Sequence, residues 1–408
     1  MNILFLTIID ITDINSRGIY LDLVRRLRDE GHQVYIVSPC ERRFKQRTKL
    51  TKENGMWLLK VRTLNIQKTN VIEKGIGILF LEYQFSYAIK RYFADVKFDM
   101  VLYSTPPITL VKVIEFIKKR DNAIAYLLLK DIFPQNAVDL GLMNAGGILH
   151  RYFRHKEKKL YKVSDYIGCM SPANVSYLIQ HNNEINTDVV EVNPNSIEPC
   201  RKMLSPEEKL LIKSQHDIPE NKTIFIYGGN LGKPQGLGFL ISVLEANDKK
   251  TDCFFIIVGT GTEFVKIQKW FETNKPTNAI LLSGLLKYEY DHLVQSCDVG
   301  MIFLDRRFTI PNFPSRLLSY LEYKMPVIAS TDRNTDLGQI IEENDFGFWC
   351  ESGDLQKINQ HIDFFCEKIV NRQLMGENGY RYLLSHYTTK QSYEIIMDHF
   401  KVKAENTI

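Results

Sequence analysis

The sequence predicts an α/β chain of two Rossmann-like, doubly wound domains facing each other across a central cleft. Three observations carry that expectation. Short apolar runs rich in β-branched residues alternate with helix-period segments along the whole chain. The alternation breaks once, at a polar stretch studded with prolines. The 408 residues also exceed what one ordinary core holds, so two domains of about 150–200 residues are expected.

In the first half the strand-like runs fall at 3–9, 33–38, 100–104, 124–129, 166–170 and 189–192. In the second they fall at 223–227, 253–258, 280–283, 299–304, 326–329 and 346–349. Between the first two runs, Tyr20, Leu23, Val24 and Leu27 stand at i, i+3, i+4, i+7, and Gly31 ends that helix. The break lies between Asn193 and Lys222, where Pro194, Pro199, Pro206 and Pro219 interrupt the pattern. The expected domains are therefore 1–195 and 196–384, with a C-terminal segment over 385–408.

Composition narrows the class. The chain is 44% hydrophobic and 25% charged, with a net charge of +4 that is too small to argue for nucleic acid. Its seven cysteines are scattered and never spaced as CxxC, which fits a reducing cytoplasm better than a disulfide or zinc framework. The opening Met1-Asn2-Ile3-Leu4-Phe5-Leu6 has no basic n-region and reads as a strand, not a signal peptide. The longest apolar run, around Ile76 to Leu81, is stopped by Glu82, well short of the roughly 20 residues of a membrane span.

Several segments carry residues suited to chemistry. From Pro311 to Ala329, two prolines precede Ser315, a helix follows, and a strand begins at Pro326. Ser315, Ser319 and Glu322 share one polar stripe, while Leu317, Leu318 and Leu321 supply the packed side. A helix N-terminus suits a diphosphate, and a carboxylate two turns deeper suits a vicinal diol; a plain capped helix explains the same spacing. Tyr227 to Leu237 carries four glycines and Lys233 in a strand-to-helix turn. It has neither dinucleotide-binding nor P-loop spacing. Glycines also end the runs at Val258-Gly259-Thr260-Gly261 and Ser283-Gly284-Leu285-Leu286. In the first half, Ser16-Arg17-Gly18 precedes the first helix, and Lys130-Asp131-Ile132-Phe133-Pro134-Gln135 follows a buried strand. Asp131 either orients an acceptor hydroxyl or caps a helix. Over 149–163, Leu149, Tyr152, Phe153, Leu160 and Val163 lie on one helical side among six cations, which fits an anionic membrane surface or a solvated face.

The segment from Pro311 to Ala329 resembles the donor-binding helix of the retaining glycosyltransferases of family 4, which have the GT-B fold. The family signature is Glu, seven residues, Glu, then a small-Pro-Val strand. Glu322 matches the second glutamate, which in the family holds the nucleotide ribose, and the first falls on Pro314. The Phe313-Pro314-Ser315-Arg316 version is similar to that of members that build bacterial surface polysaccharides such as capsule and O-antigen. Asp131-Ile132-Phe133-Pro134 resembles a segment of the same members. Tyr227 to Leu237 is similar to the family's first donor-domain loop, with Asn230 where an arginine is often found and Gln235 where a lysine is.

This resemblance implies a metal-independent glycosyltransferase with a UDP-sugar donor, a hexosamine or deoxyhexosamine, and no further cofactor. No Asp-x-Asp occurs in the chain. The implied catalytic candidates are Asp131 on the acceptor side and Lys233 at the leaving diphosphate. The implied donor-binding set adds Arg17, Gly18, Gly229, Asn230, Leu286, Asn312, Ser315, Arg316, Leu317 and Glu322. The implied acceptor is a polyprenyl-diphosphate-linked saccharide at the cytoplasmic membrane face, met through 149–163, and the C-terminal segment packs back on the first domain. Two alternatives remain at this point: a UDP-sugar epimerase of the same architecture, and a non-catalytic nucleotide-sugar-binding subunit. A nicotinamide oxidoreductase is disfavoured, because no dinucleotide fingerprint follows the first strand.

Overall fold

Strands buried on both faces are apolar at every position, and such strands build parallel sheets with helices on each side. The structure, a computed structural model, describes residues 1–67, 69, 71–200 and 202–405; residues 406–408, the end of the expected C-terminal segment, lie outside the described residues. The chain divides into two units, Met1–Ser196 with Thr389–Ile408, and Ile197–Thr388.

The first unit runs β1 (Asn2–Leu6), α1 (Ile19–Asp29), β2 (Gln33–Glu41), β3 (Lys49–Glu53), β4 (Met56–Thr63), α2 (Val71–Tyr92), β5 (Met100–Ser104) and α3 (Val111–Asp121). It continues through β6 (Ile124–Leu129), α4 (Gln135–Asp139), α5 (Ile148–Val163), β7 (Tyr166–Cys169), α6 (Pro172–His181) and β8 (Val190–Val192). Its eight-stranded sheet has the order β3-β4-β2-β1-β5-β6-β7-β8. Every pairing is parallel except β3 with β4. That edge hairpin was not expected from the alternation. Its turn is Asn54-Gly55, both at positive φ (48° and 77°), the geometry that matches the twist of two antiparallel strands.

The second unit runs α7 (Pro206–Gln215), β9 (Thr223–Asn230), α8 (Leu237–Asn247), β10 (Cys253–Thr260), α9 (Phe264–Asn274), β11 (Ala279–Leu282), α10 (Lys287–Gln295) and β12 (Val299–Phe303). Then follow α11 (Arg316–Glu322), β13 (Val327–Thr331), α12 (Leu337–Glu343), β14 (Gly347–Glu351), α13 (Leu355–Glu367) and α14 (Ile369–His386). The six strands are all parallel, in the order β11-β10-β9-β12-β13-β14. Phe225, Phe255, Met301 and Ile328 from four adjacent strands fill one face, against Leu240 and Val243 of α8 and Ile358 and Ile362 of α13. Burying each such side chain contributes about 1.5–3 kcal/mol.

The last helix, α15 (Thr389–Glu405), belongs to the first unit. Ile396 and Met397 are buried in its core with Ile3, Leu23 and Leu27. A polar network fixes the same helix. Ser392 Oγ donates to Asn193 Oδ1 at 2.7 Å, and Asn193 Nδ2 donates to the Tyr126 hydroxyl at 2.9 Å. Tyr126 donates to Glu191 Oε1 at 2.5 Å, and His399 Nε2 lies 2.9 Å from that same oxygen. Lys130 Nζ closes the network on Asn193 O at 3.0 Å, and burial pushes its amine down to about 7. Gly168 makes room for it: a Cβ there would lie 2.7 Å from both the Tyr126 hydroxyl and Asn193 Cβ.

Removing only the hydroxyl tests this attachment. Tyr126→Phe leaves the buried Asn193 amide and the Glu191 carboxylate each short of a partner. It is expected to cost about 1–3 kcal/mol in urea unfolding. No change in midpoint would show that the network contributes nothing.

Candidate functional site

In an open parallel sheet, ligands bind beyond the carboxyl ends of the strands, where the strand order reverses. In the second unit that point lies between β9 and β12. The two strands pair only at Val299↔Phe225 and Gly300↔Ile226, and no register continues toward their carboxyl ends. The Tyr320 hydroxyl, from α11, enters the split. It lies 3.2 Å from both Ile226 O and Met301 O, to either of which it donates, and it accepts from the Gly228 N–H at 3.4 Å. Gly300 is what lets the ring in, since a Cβ there would come within 2.4 Å of it. One side chain thus substitutes for missing ladder bonds and pins α11 to the sheet.

Arg316 precedes Tyr320 by four residues and so projects from the same side of the short helix. Its guanidinium carbon sits 4.3 Å from the centroid of the Tyr227 ring. A Cβ on Gly229 would lie 3.5 Å from Arg316 Nη2, so the cation rests beside the exposed end of β9. The Arg316 Nη1 is buried and has no hydrogen-bond partner in the structure. Among the described residues no carboxylate pairs with it; the groups acting on its charge are the phenols of Tyr227, Tyr320 and Tyr290. Arg316 is half-buried, and a partly desolvated cation without a counter-ion gains from an incoming anion.

The turn after β9 is shaped around this point. Asn230 Nδ2 donates to Gln235 Oε1 at 3.0 Å, so these two side chains satisfy each other and brace the turn. Lys233, in the 3₁₀ turn Lys233–Gln235, is exposed. Gly228 admits Tyr290, whose hydroxyl a Cβ would meet at 2.2 Å. The neighbouring turn packs as closely, for a Cβ on Gly259 would lie 1.8 Å from Gly229 O. These two glycines serve packing inside the unit, and Gly229 is the one that faces the cation.

Other expected donor contacts are changed by their surroundings. The helix is two turns long, and the polar stripe runs inward along it: Ser315 is exposed, Ser319 half-buried and Glu322 only 2% exposed. Ser315 makes no side-chain cap bond. Glu322 Oε1 accepts the Cys200 N–H at 2.6 Å, so the carboxylate expected to grip a ribose faces the protein. The Leu317 amide, expected at the diphosphate, donates to Pro314 O at 3.2 Å. The amide of Leu286, another residue of the expected donor-binding set, donates to Glu289 Oε2 at 2.9 Å at the start of α10. Asn312 keeps a free donor, because its Nδ2 is buried and has no acceptor in the structure.

Asp332 was not singled out from sequence, where the only signal is an acid just past a strand. Its Oδ1 accepts the N–H groups of Asn334 at 2.8 Å and Thr335 at 3.1 Å, and Oδ2 is buried without a partner. Burial raises this carboxyl to about 6. Thr335 Oγ1 donates to Asn312 O at 2.7 Å, so the Asp332 turn holds the Asn312 loop in place.

In the first unit the order reverses at β1 and β5, and the candidate residues stand on loops at the same carboxyl edge. Asp131 follows β6. Both its oxygens accept from Asn136 Nδ2 at 2.8 Å, and Thr105 Oγ1 accepts its N–H at 3.1 Å. Burial raises Asp131 to about 6, against the Asn136 bonds that favour the charge. It does not cap α4, whose preceding residue is Pro134 with no side-chain cap. Gly18 starts α1 in an extended conformation, and a Cβ there would meet nothing within 4 Å, so the unit itself does not require glycine at this position. Arg17 beside it is half-buried.

The basic helix is largely spent on the unit's own packing. From Phe153 onward its apolar side turns inward: Leu160 is buried, Val163 half-buried, and Phe153 packs on Phe133 at 5.0 Å. Arg154 pairs with Glu157, and Lys158 with Glu184 at 2.9 Å. Of the apolar residues expected on the membrane side, only Leu149 and Tyr152 are exposed. The surface reading for 149–163 therefore shrinks to the first turns of α5.

Comparison with known proteins agrees with this geometry. Residues 208–382 match the family described as Glycosyl transferases group 1, and that match lies entirely in the second unit. The chain is 23% identical over 305 residues to the probable glycosyltransferase WbjE of Pseudomonas aeruginosa, covering 74% of each. It is 29% identical over 134 residues to WcaI of Escherichia coli K12, named as a colanic acid biosynthesis glycosyl transferase, covering 32% of each. Among solved structures, Anabaena HepE in complex with UDP and glucose superposes with a TM-score of 0.72 at 14% identity, over 98% of this chain and 100% of that one. Residues 208–382 are therefore similar to the group 1 glycosyl transferases, on a chain whose two α/β units have the GT-B fold.

Proposed function

We propose that the chain is a retaining, metal-independent glycosyltransferase. It takes a hexosamine or deoxyhexosamine from UDP and adds it to a polyprenyl-diphosphate-linked saccharide, at the cytoplasmic face of the plasma membrane, in bacterial surface polysaccharide assembly. The single observation that carries the donor reading is half-buried Arg316, whose buried Nη1 has no hydrogen-bond partner and which has no carboxylate counter-ion, beside exposed Gly229 at the reversal point of the sheet. A nucleoside diphosphate brings the missing negative charge. HepE, a structural neighbour, binds UDP with glucose, and WcaI is named for a polysaccharide pathway; both support the donor and pathway assigned to this chain.

In the proposed step, the bond from the anomeric carbon to the β-phosphate oxygen breaks while the acceptor oxygen bonds that carbon on the same face. The acceptor proton passes to the departing phosphate oxygen. Arg316, with the exposed Lys233, stabilises the charge that develops on the diphosphate, an effect strongest where water is excluded. Asn312 Nδ2 offers a hydrogen bond to the donor sugar. Asp131 orients the acceptor hydroxyl, and the space open at Gly18 admits ligand where a side chain would stand.

Arg316→Met keeps the stem on Tyr227 and removes the charge. UDP affinity by calorimetry is expected to fall about 10–100-fold, as for a lost charge-assisted hydrogen bond. The ligand-free variant is expected to melt no lower than the parent, because an uncompensated buried charge has gone. A large loss of stability with unchanged UDP affinity would make Arg316 a structural residue and remove the donor site from this position.

Glu322→Gln gives the complementary result. With its oxygen facing Cys200, it is expected to lower stability by about 1–3 kcal/mol and to leave UDP affinity within threefold. Lost affinity at unchanged stability would return Glu322 to the ribose.

For Asp131 the test is pH. The charged form accepts the acceptor's hydrogen bond, so kcat/KM for transfer is expected to fall as pH drops through about 6. Asp131→Asn should abolish that limb; a profile unaltered by the substitution would leave Asp131 without a part in the reaction.

A further inference from the structure

Helix α2 has two apolar faces, and only one is covered. Leu81, Phe85, Ala88 and Ile89 are buried in the first unit. Ile76, Leu79, Phe80, Tyr83 and Tyr87 are exposed, Phe80 by 54% and Tyr83 by 69%. They stand at i, i+3, i+4, i+7, i+11, which is one continuous stripe along the helix. Lys90 and Arg91, also exposed, continue this stripe at its C-terminal end, and its acid, half-buried Glu73 one turn before Ile76, is paired with Arg42.

The helix's two carboxylates are engaged elsewhere. Glu73 pairs with Arg42 at 2.6 Å. Glu82 accepts the Lys112 N–H at 2.6 Å and lies 3.9 Å from Lys156 of α5. That last contact sets α5 beside α2, and the first turns of α5 add exposed Ile148, Leu149 and Tyr152. No helix among the described residues is long and apolar enough to cross a membrane.

We infer that the open face of α2, extended by the first turns of α5, docks on an anionic lipid bilayer, with the helix lying in the interface. Aromatic and aliphatic side chains ending in two cations match that environment, where apolar groups sit at the acyl boundary and lysine or arginine reaches lipid phosphate. A second copy of the chain fits less well, because the acid of this face, Glu73, is already paired with Arg42 and leaves no free complement for its cations. The inference rests on the membrane location in the proposed function and assigns it a surface; it does not depend on the donor.

The test is co-sedimentation of the full chain with vesicles of phosphatidylcholine alone and with about one third phosphatidylglycerol added. The parent is expected to bind the anionic vesicles, more weakly at high salt. Phe80→Ser with Tyr83→Ser should lower partitioning about tenfold or more. Lys90→Glu with Arg91→Glu should do the same on anionic vesicles only, at unchanged melting temperature. Absence of parent binding, or variants that partition like the parent, overturns the inference. So does self-association of the parent that the serine pair abolishes without altering vesicle binding. UDP affinity measured on the same samples separates the two readings: vesicle binding without UDP binding sinks the donor assignment alone, and the converse sinks this surface alone.

Discussion

The placement of one tyrosine hydroxyl organises the second unit. Where β9 and β12 stop pairing, backbone groups on both strands need partners, and an open crevice between parallel strands has no ladder to supply them. Tyr320 supplies them from a helix only two turns long. A helix that short has little stability of its own, so its position is set by what it docks against. Once Tyr320 is seated, the residue one turn earlier is committed to the mouth of the same crevice, and that residue is Arg316. The cation is therefore positioned by a buried neutral hydrogen-bonding group, without a salt bridge that would neutralise it.

That arrangement is unfavourable for the folded chain alone, and this is informative. A guanidinium paired with a carboxylate could be a structural device, whereas one enclosed by Tyr227, Tyr290 and Tyr320 keeps its full charge for a ligand. The backbone around it follows the same logic. Gly228 yields its side-chain volume to Tyr290, Gly259 yields its own to the Gly229 carbonyl, and Gly229 stays open toward the cation.

The architecture was legible in the sequence because strands buried on both faces are apolar throughout, as β5, β6, β12 and β13 are. Strand β3, with the sequence Lys-Leu-Thr-Lys-Glu at a sheet edge, lacks that signature, and only Asn54-Gly55 betrays the hairpin. The site was legible as a segment but not in its orientation. Spacing correctly put Ser315, Ser319 and Glu322 on one stripe, yet the inward turn of that stripe is set by the Cys200 amide, 122 residues away in sequence. Likewise, amides at Leu317 and Leu286 look available at helix starts until Pro314 O and the Glu289 carboxylate take them. Periodicity identifies which residues share a face; it does not say what that face meets.

The two apolar helices of the first unit show the same limit from opposite sides. In α5 an amphipathic pattern with many cations suggested an outer surface, but most of its apolar side packs inward and several cations pair with Glu157, Glu184 and Glu82. In α2 the apolar residues go nearly all the way round, which blurs the period and hides a second stripe behind the buried one. The net charge of +4 conceals such local distribution, because on α2 Glu73 and Glu82 are engaged while Lys90 and Arg91 stay exposed. The chain thus holds two kinds of positive charge. Arg316, with its Nη1 buried, acts at short range where salt screens little, whereas Lys90 and Arg91 act through water over a Debye length of about 8–10 Å. A buried cation of the first kind selects a small, dehydrated anion at a defined position, while exposed cations beside apolar side chains favour an extended anionic surface. The burial of each charge, more than its sign, decides which partner it suits.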